Sequence, residues 1–119
     1  MLADTQVSHV HDADYIFARE QCRAFVPIDE SQAEVISCAE SRAFLHGLGI
    51  AGEIVATPSH SPDSISVVLD DGTCIVGDLE PPEYLAAYGQ NDALAADWAH
   101  LLGHSPRRII FAHANEKIL

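Results

Sequence analysis

Three residues with metal-ligating side chains, His60, Asp78 and His113, each stand where a run of β-forming residues ends. His60 lies within Thr57-Pro58-Ser59-His60-Ser61-Pro62, so two prolines bracket it in an irregular, stiff loop. Asp78 follows Thr73-Cys74-Ile75-Val76-Gly77, and His113 follows Arg107-Arg108-Ile109-Ile110-Phe111-Ala112. Strand exits on one edge of a sheet can converge even when they are far apart in sequence. Imidazole and carboxylate suit Zn²⁺, and also Fe or Mn, and a carboxylate can bridge two ions and so build a binuclear centre. Water held by such a centre becomes a hydroxide nucleophile near neutral pH. A plainer reading stands beside this one: a histidine in a proline-rich loop is often a solvated turn residue, and Gly-Asp after a strand is often a turn. Of the other histidines, His46, His100 and His104 fall on helical stretches and read as surface or capping groups.

The elements that must position these residues follow from local signals. A helix is expected from Asp12 towards Phe25, with Ile16 and Phe17 among its apolar positions, ended by Val26-Pro27. Ser37 and Glu40 have the spacing of a capping box, Phe44, Leu45 and Leu48 form an apolar stripe, and Gly49 stops the turn, which predicts a helix at 38–48. Residues 53–56 read as a short strand. Segments 64–69 and 73–76 flank Asp70-Asp71-Gly72, a strong hairpin signal. Pro81-Pro82 breaks the chain before a short helix at 83–88. Asn91 is an N-cap candidate for a longer helix whose Leu94, Trp98, Leu101 and Leu102 keep the spacing of one buried face, closed by Gly103 and Pro106. Segment 107–112 is the last strand. Helix, strand, hairpin, helix and strand make an α/β (α+β) arrangement with mixed strand directions.

Composition bounds what such a scaffold can do. With 119 residues, 48% apolar and 20% charged, the chain is expected to form a single domain, 1–119, with a core that needs no disulfides. Eighteen Asp and Glu against 6 Lys and Arg give a formal charge of −12, which repels a phosphate backbone or an anionic leaflet and argues against nucleic-acid or membrane partners. Cys22, Cys38 and Cys74 form no C-x-x-C pair and read as reduced core thiols. The first twenty residues hold no apolar run long enough for a signal peptide or a membrane span, so a cytoplasmic location is expected.

The string TPSHSPDSISVVLDDGTCIVGD at 57–78, followed by RRIIFAHANEK at 107–117, resembles the C-terminal half of a metallo-β-lactamase-fold hydrolase. In that superfamily a T-P-G-H-[ST]-x-x-S-I segment, a strand-terminal G-D and a late strand ending in A-H supply ligands to one or two metals. The order, the spacings and the hairpin between the first two motifs all agree. The resemblance implies His60 as a ligand of a first metal, Asp78 as the carboxylate shared by two, and His113 as a ligand of a second. It further implies that Asp78 orients the attacking water. Ser59 stands where the family has glycine, a replacement that requires negative φ there.

The front of the chain departs from the family, whose members carry an H-x-H-x-D-H motif after an early strand. The nearest string, Ser8-His9-Val10-His11-Asp12-Ala13-Asp14-Tyr15, offers H-x-H and then D-x-D without the final histidine. Segment 12–50 resembles the middle of such a domain. The expectation is therefore the second half of the αββα sandwich, apparently truncated at its N-terminus, with a mixed sheet and flanking helices. Three ligands divided between two sites would leave an open, weak centre. His9 and His11 are two further candidate ligands if the N-terminus folds back. A half sandwich also exposes a sheet face, so homo-oligomerisation or association with a complementary half is expected.

Two functional readings follow. The first is a metal-dependent hydrolase in which metal-bound hydroxide attacks an ester, thioester or phosphoester-type substrate. The alternative is a non-catalytic half-domain or interaction module that retains the fold without a complete metal site. A small α/β binding protein without metal is a third reading if the resemblance is coincidental. Glu80 lies close enough to tune the site, and Glu116 or Lys117 either reaches substrate or belongs to a solvated tail.

Overall fold

The hairpin around Asp70-Asp71-Gly72 organises the sheet. A computed structural model of the chain describes residues 2–19, 24, 26–87, 89 and 91–119. Its elements in chain order are β1 (Leu2–Ala3), α1 (Val7–Arg19), β2 (Val35–Ile36), α2 (Ser41–Gly47), β3 (Gly52–Ala56), β4 (Ile65–Leu69), β5 (Thr73–Gly77), α3 (Tyr84–Ala87), α4 (Asp92–Gly103), β6 (Arg108–Phe111) and β7 (Lys117–Ile118). In the turn, the Gly72 N–H donates to the Leu69 carbonyl at 3.0 Å and the Thr73 N–H donates to Asp71 Oδ1 at 2.8 Å. Gly72 has φ +89°, a conformation that calls for glycine, and a Cβ there would also press on the Arg107 side chain, 2.9 Å from its Nε.

Five strands form one mixed sheet in the order β3-β4-β5-β6-β7, and β1 pairs in parallel with β2 as a separate two-stranded piece. The pairs β3/β4, β4/β5 and β6/β7 are antiparallel, whereas β5/β6 is parallel. Strands β3, β5 and β6 therefore run in the same direction. Parallel pairing of β5 with β6 needs a crossover, and α3 and α4 supply it.

Strand alternation divides the apolar residues between two faces. On one face Val55, Val68, Cys74, Val76 and Ile109 form the core with Leu94, Trp98 and Leu101 of α4, and Leu79, Leu85 and Phe111 join them. The indole Nε1–H of Trp98 donates to the Glu80 carbonyl at 2.9 Å, which ties the helix to the segment after β5. On the other face, Ile54, Val67, Ile75 and Ile110 sit in register across four strands. There α2 packs on the β3 side: Ser41 Oγ accepts the Ile54 N–H at 2.8 Å and donates to the Cys38 carbonyl at 2.6 Å. Ile54 is buried, while Ile75 is 42% exposed. The molecule is flat, 42 × 37 × 23 Å, with a radius of gyration of 15.9 Å. A compact domain of this length would have roughly 13.5 Å.

Most local expectations correspond to observed elements, and the differences have physical causes. The Ser37/Glu40 capping box forms, with Ser37 N–H and Oγ donating to Glu40 Oε2 at 2.9 and 2.8 Å; its first turn, Cys38–Glu40, is 3₁₀ before α2 begins. Asn91 Oδ1 accepts the Leu94 N–H at 3.0 Å and caps α4. The first helix starts earlier than Asp12, because a 3₁₀ turn over Asp4–Gln6 leads straight into Val7 and buries Val10. Phe25, Cys22 and Tyr88, on which parts of the sequence reading rested, lie outside the described residues. Leu102 is 50% exposed rather than buried: the buried stripe of α4 is completed on its other side by Asp97. The two-residue strands β1, β2 and β7 are too short for any periodicity to announce them. Cys38 and Cys74 are free thiols, and burial raises the Cys74 thiol above its ordinary value of 9.0. Among the described residues no helix is long and apolar enough to cross a membrane.

Candidate metal centre

The common direction of β3, β5 and β6 brings three chain segments to one edge of the sheet: the loop after Ala56, the turn after Gly77 and the bend after Phe111. These segments carry His60, Asp78 and His113, with Asp78 between the two histidines in strand order.

Each segment has a local reason for its shape. The loop at 57–64 closes the β3–β4 hairpin, with the Thr57 N–H donating to the Ser64 carbonyl at 3.0 Å and the Ser64 N–H to the Ser61 carbonyl at 2.9 Å. Ser61 Oγ donates to Asp63 Oδ1 at 2.6 Å, and the buried hydroxyls of Thr57 and Ser66 meet at 2.9 Å beneath the loop. The expected stiffness of this loop thus has hydrogen bonds behind it. Ser59 has negative φ, since Ser105 is the one non-glycine with positive φ among the described residues, so serine fits where the resembled family has glycine. At the end of β5 the register with β6 shifts between Ile75 and Gly77, and Gly77 adopts φ +57°. That bulge turns Asp78 out of the strand, and glycine is the residue that takes this conformation without strain. The Ala112 N–H donates to the Gly77 carbonyl at 2.8 Å, holding the exit of β6 beside that of β5.

The result is a direct contact: His113 Nε2 lies 3.0 Å from Asp78 Oδ1, with both side chains largely open to solvent. Two concavities meet at Gly77-Asp78. One, about 150 Å³, is lined by Leu79, Glu80, Pro81, Tyr84, Phe111 and His113. The other, about 260 Å³, is lined by Gln6, His60, Ser61, Asp63, Ser64 and Ile65. Donor atoms on a single tetrahedral zinc ion lie roughly 3.3 Å apart, so the Asp78–His113 pair already has nearly the spacing of two ligands of one ion. His60 shares the second concavity with Asp78. Among the described residues, however, no three His, Cys, Asp or Glu side chains gather closely enough to hold an ion together. The donor chemistry and the pair spacing fit a divalent cation. The third ligand stands nearby rather than in place.

The front histidines are placed differently. His9 and His11 both belong to α1, and residues two apart on an α-helix point about 200° away from each other. A helical H-x-H cannot chelate one ion as an extended one can. His11 is exposed and contacts Glu30; the side chain of His9 lies outside the described residues. Glu116 and Lys117, considered for substrate contact, are engaged in surface pairs: Arg108 Nε donates to Glu116 Oε2 at 2.7 Å, and Lys117, in β7, bonds Glu83. The helical histidines are surface and capping groups: His46 occupies the last turn of α2, His100 is exposed, and His104 is the C-cap of α4.

One residue near the site escaped the sequence reading. Asp97 is 7% exposed, and its Oδ2 accepts the Ser59 N–H at 2.8 Å. The signal was an acid three residues after Leu94 and one before Trp98, on the stripe otherwise reserved for the core. No protein-family model, curated protein or solved structure matches the chain.

Proposed function

We propose that this chain is a metal-dependent hydrolase domain of the metallo-β-lactamase type, with His60, Asp78 and His113 as the residues that hold Zn²⁺, or alternatively Fe or Mn. The observation that carries the reading is the 3.0 Å contact between Asp78 and His113, residues far apart in sequence that meet at one sheet edge with His60 alongside. What a bound divalent ion supplies at such a site is acidification of water and polarisation of a carbonyl or phosphoryl oxygen. Asp78 sits centrally, where its second carboxylate oxygen can accept a proton from the attacking water and orient it. Leu79, Pro81, Tyr84 and Phe111 form an apolar wall beside the pair, suited to the uncharged part of an ester, thioester or phosphoester substrate.

A second reading, a non-catalytic half-domain or interaction module, is favoured by a separate observation. The chain exposes 7701 Å², whereas a compact monomer of this mass exposes roughly 6,300 Å². The sheet carries helix α4 on one face, and on the other the Val67–Ile75–Ile110 row is only partly covered. In an αββα sandwich that second face receives another sheet. Association with a second copy or with a complementary half would cover it, and would also complete the ligand set. A cytoplasmic setting accords with the free thiols of Cys38 and Cys74.

Metal content per chain tests the reading directly, on protein purified without chelator or added metal. Near one zinc or iron per chain is expected, with Zn²⁺ raising the melting temperature. His60→Ala, Asp78→Ala and His113→Ala are each expected to abolish both effects. Metal retained in Asp78→Ala and His113→Ala would overturn the assignment. Sedimentation in the same buffers separates the two readings: a metal-free chain that still self-associates supports the interaction module.

A further inference from the structure

We infer that Asp97 is a positioning residue for the His60 loop: its carboxylate, projecting from the buried face of α4, fixes the backbone of the loop and thereby the place of His60 beside Asp78. The importance of that place rests on the ligand reading above, but the positioning itself does not.

The argument begins with cost. Asp97 is 7% exposed and flanked on α4 by the core residues Leu94, Trp98 and Leu101. Among the described residues no cation pairs with it, and its one hydrogen bond comes from a neutral amide, Ser59 N–H, at 2.8 Å. A buried carboxylate compensated by one neutral donor is less favourable there than an apolar side chain of similar size. Stability therefore does not account for an acid at this position. Its geometric effect does: the bond falls on the residue immediately before His60 and links the loop to a helix otherwise anchored in the core.

The rest of the loop shows why such a link is needed. Pro58 has no N–H to offer, and Ser59 Oγ is buried with no hydrogen-bond partner among the described residues, so the Ser59 side chain does not hold this limb. The bonds of Ser61, Asp63 and Ser64 secure the opposite limb, after His60. Asp97 is thus the counterpart on the near side. Partners that orient a ligand are typically worth 10- to 100-fold in metal affinity.

The test uses the full chain and three variants, with hydrogen exchange at the Ser59 amide and Zn²⁺ titration as readouts. Asp97→Leu removes the acceptor and the buried polar group together. It is expected to be as stable as the unsubstituted chain, yet to lose Ser59 protection and to bind Zn²⁺ about 10-fold or more weakly. Asp97→Ala is expected to lose protection as well, while Asp97→Asn, which keeps a carbonyl oxygen, should retain protection and bind Zn²⁺ within about 3-fold of the parent. Ser59 protection unchanged in Asp97→Leu overturns the inference, and so does unchanged zinc affinity in that variant. If the parent chain binds no Zn²⁺, the ligand reading fails on its own account, and amide exchange alone decides the positioning.

Discussion

From Gly52 to the C-terminus, one face of the sheet packs on α4 while the other is covered by α2 at β3 and half-covered or open further along, and Val68, Cys74, Val76 and Ile109 are almost wholly enclosed. Between Val7 and Val35 the apolar side chains fare otherwise: Tyr15 is 62% exposed, Val26 80%, and Ile16, Ile28 and Val35 also face solvent. Both regions have a substantial apolar content. The difference is that the strands have a second layer to pack on, supplied by α4 from the crossover between β5 and β6. Helix α1 brings Val10 into cover but leaves Tyr15 and Ile16 outside. Amphipathic spacing makes burial possible; a partner layer makes it happen. The candidate centre belongs to the well-packed region, and the front histidines to the other.

The largest test of this contrast is Trp98→Ala against Tyr15→Ser. Removing Trp98 opens a cavity and orphans the Glu80 carbonyl, with an expected loss of about 3–5 kcal/mol in urea unfolding. Tyr15→Ser, at an exposed helical position, should change stability by less than about 0.5 kcal/mol. A loss from Tyr15→Ser comparable to that from Trp98→Ala would mean that the N-terminal region is covered in solution, by another copy or another chain. A smaller effect sharpens the account of α4. Asn91→Ala removes the side-chain oxygen that accepts the Leu94 N–H and should cost about 1 kcal/mol, measured by the same unfolding curve.

The smallest effect is a dependence on pH. The Ser37 N–H and hydroxyl hold the Glu40 carboxyl below its ordinary value of 4.5. A depressed folded-state value means that the capping box stabilises at pH above the unfolded value, and that this contribution is lost as pH falls through the folded one. Lowering pH from 6 to 3 should therefore reduce the urea midpoint of the parent chain more than that of Glu40→Gln. Parallel curves would show that the box contributes nothing to the packed region.

Legibility followed the range of the forces involved. The Asp70-Asp71-Gly72 turn, the Ser37/Glu40 box and the Asn91 cap are made by residues within a few positions of one another, and all three were readable. The placing of Leu102 on the buried stripe erred because two neighbouring positions compete for the edge of a helix face. The stripe shifted towards Asp97, whose partner lies in the loop after β3. The first helix began early because its start is set by the short Asp4 turn rather than by any apolar period. The H-x-H string at His9 and His11 reads as chelating only if extended, and the backbone there is helical.

The sequence by itself determined where strands stop, where glycine must turn the chain, and that His60, Asp78 and His113 stand at strand exits, because backbone conformation there depends on local side chains. Only the tertiary structure decided that those exits lie on one edge. That outcome depends on β5 and β6 pairing in parallel across the α3–α4 crossover, so that β3, β5 and β6 point the same way. Packing alone, likewise, brings the carboxylate of Asp97 on α4 to the loop of His60. Pairing and packing of this kind are settled by the fit between distant elements, which no local signal encodes.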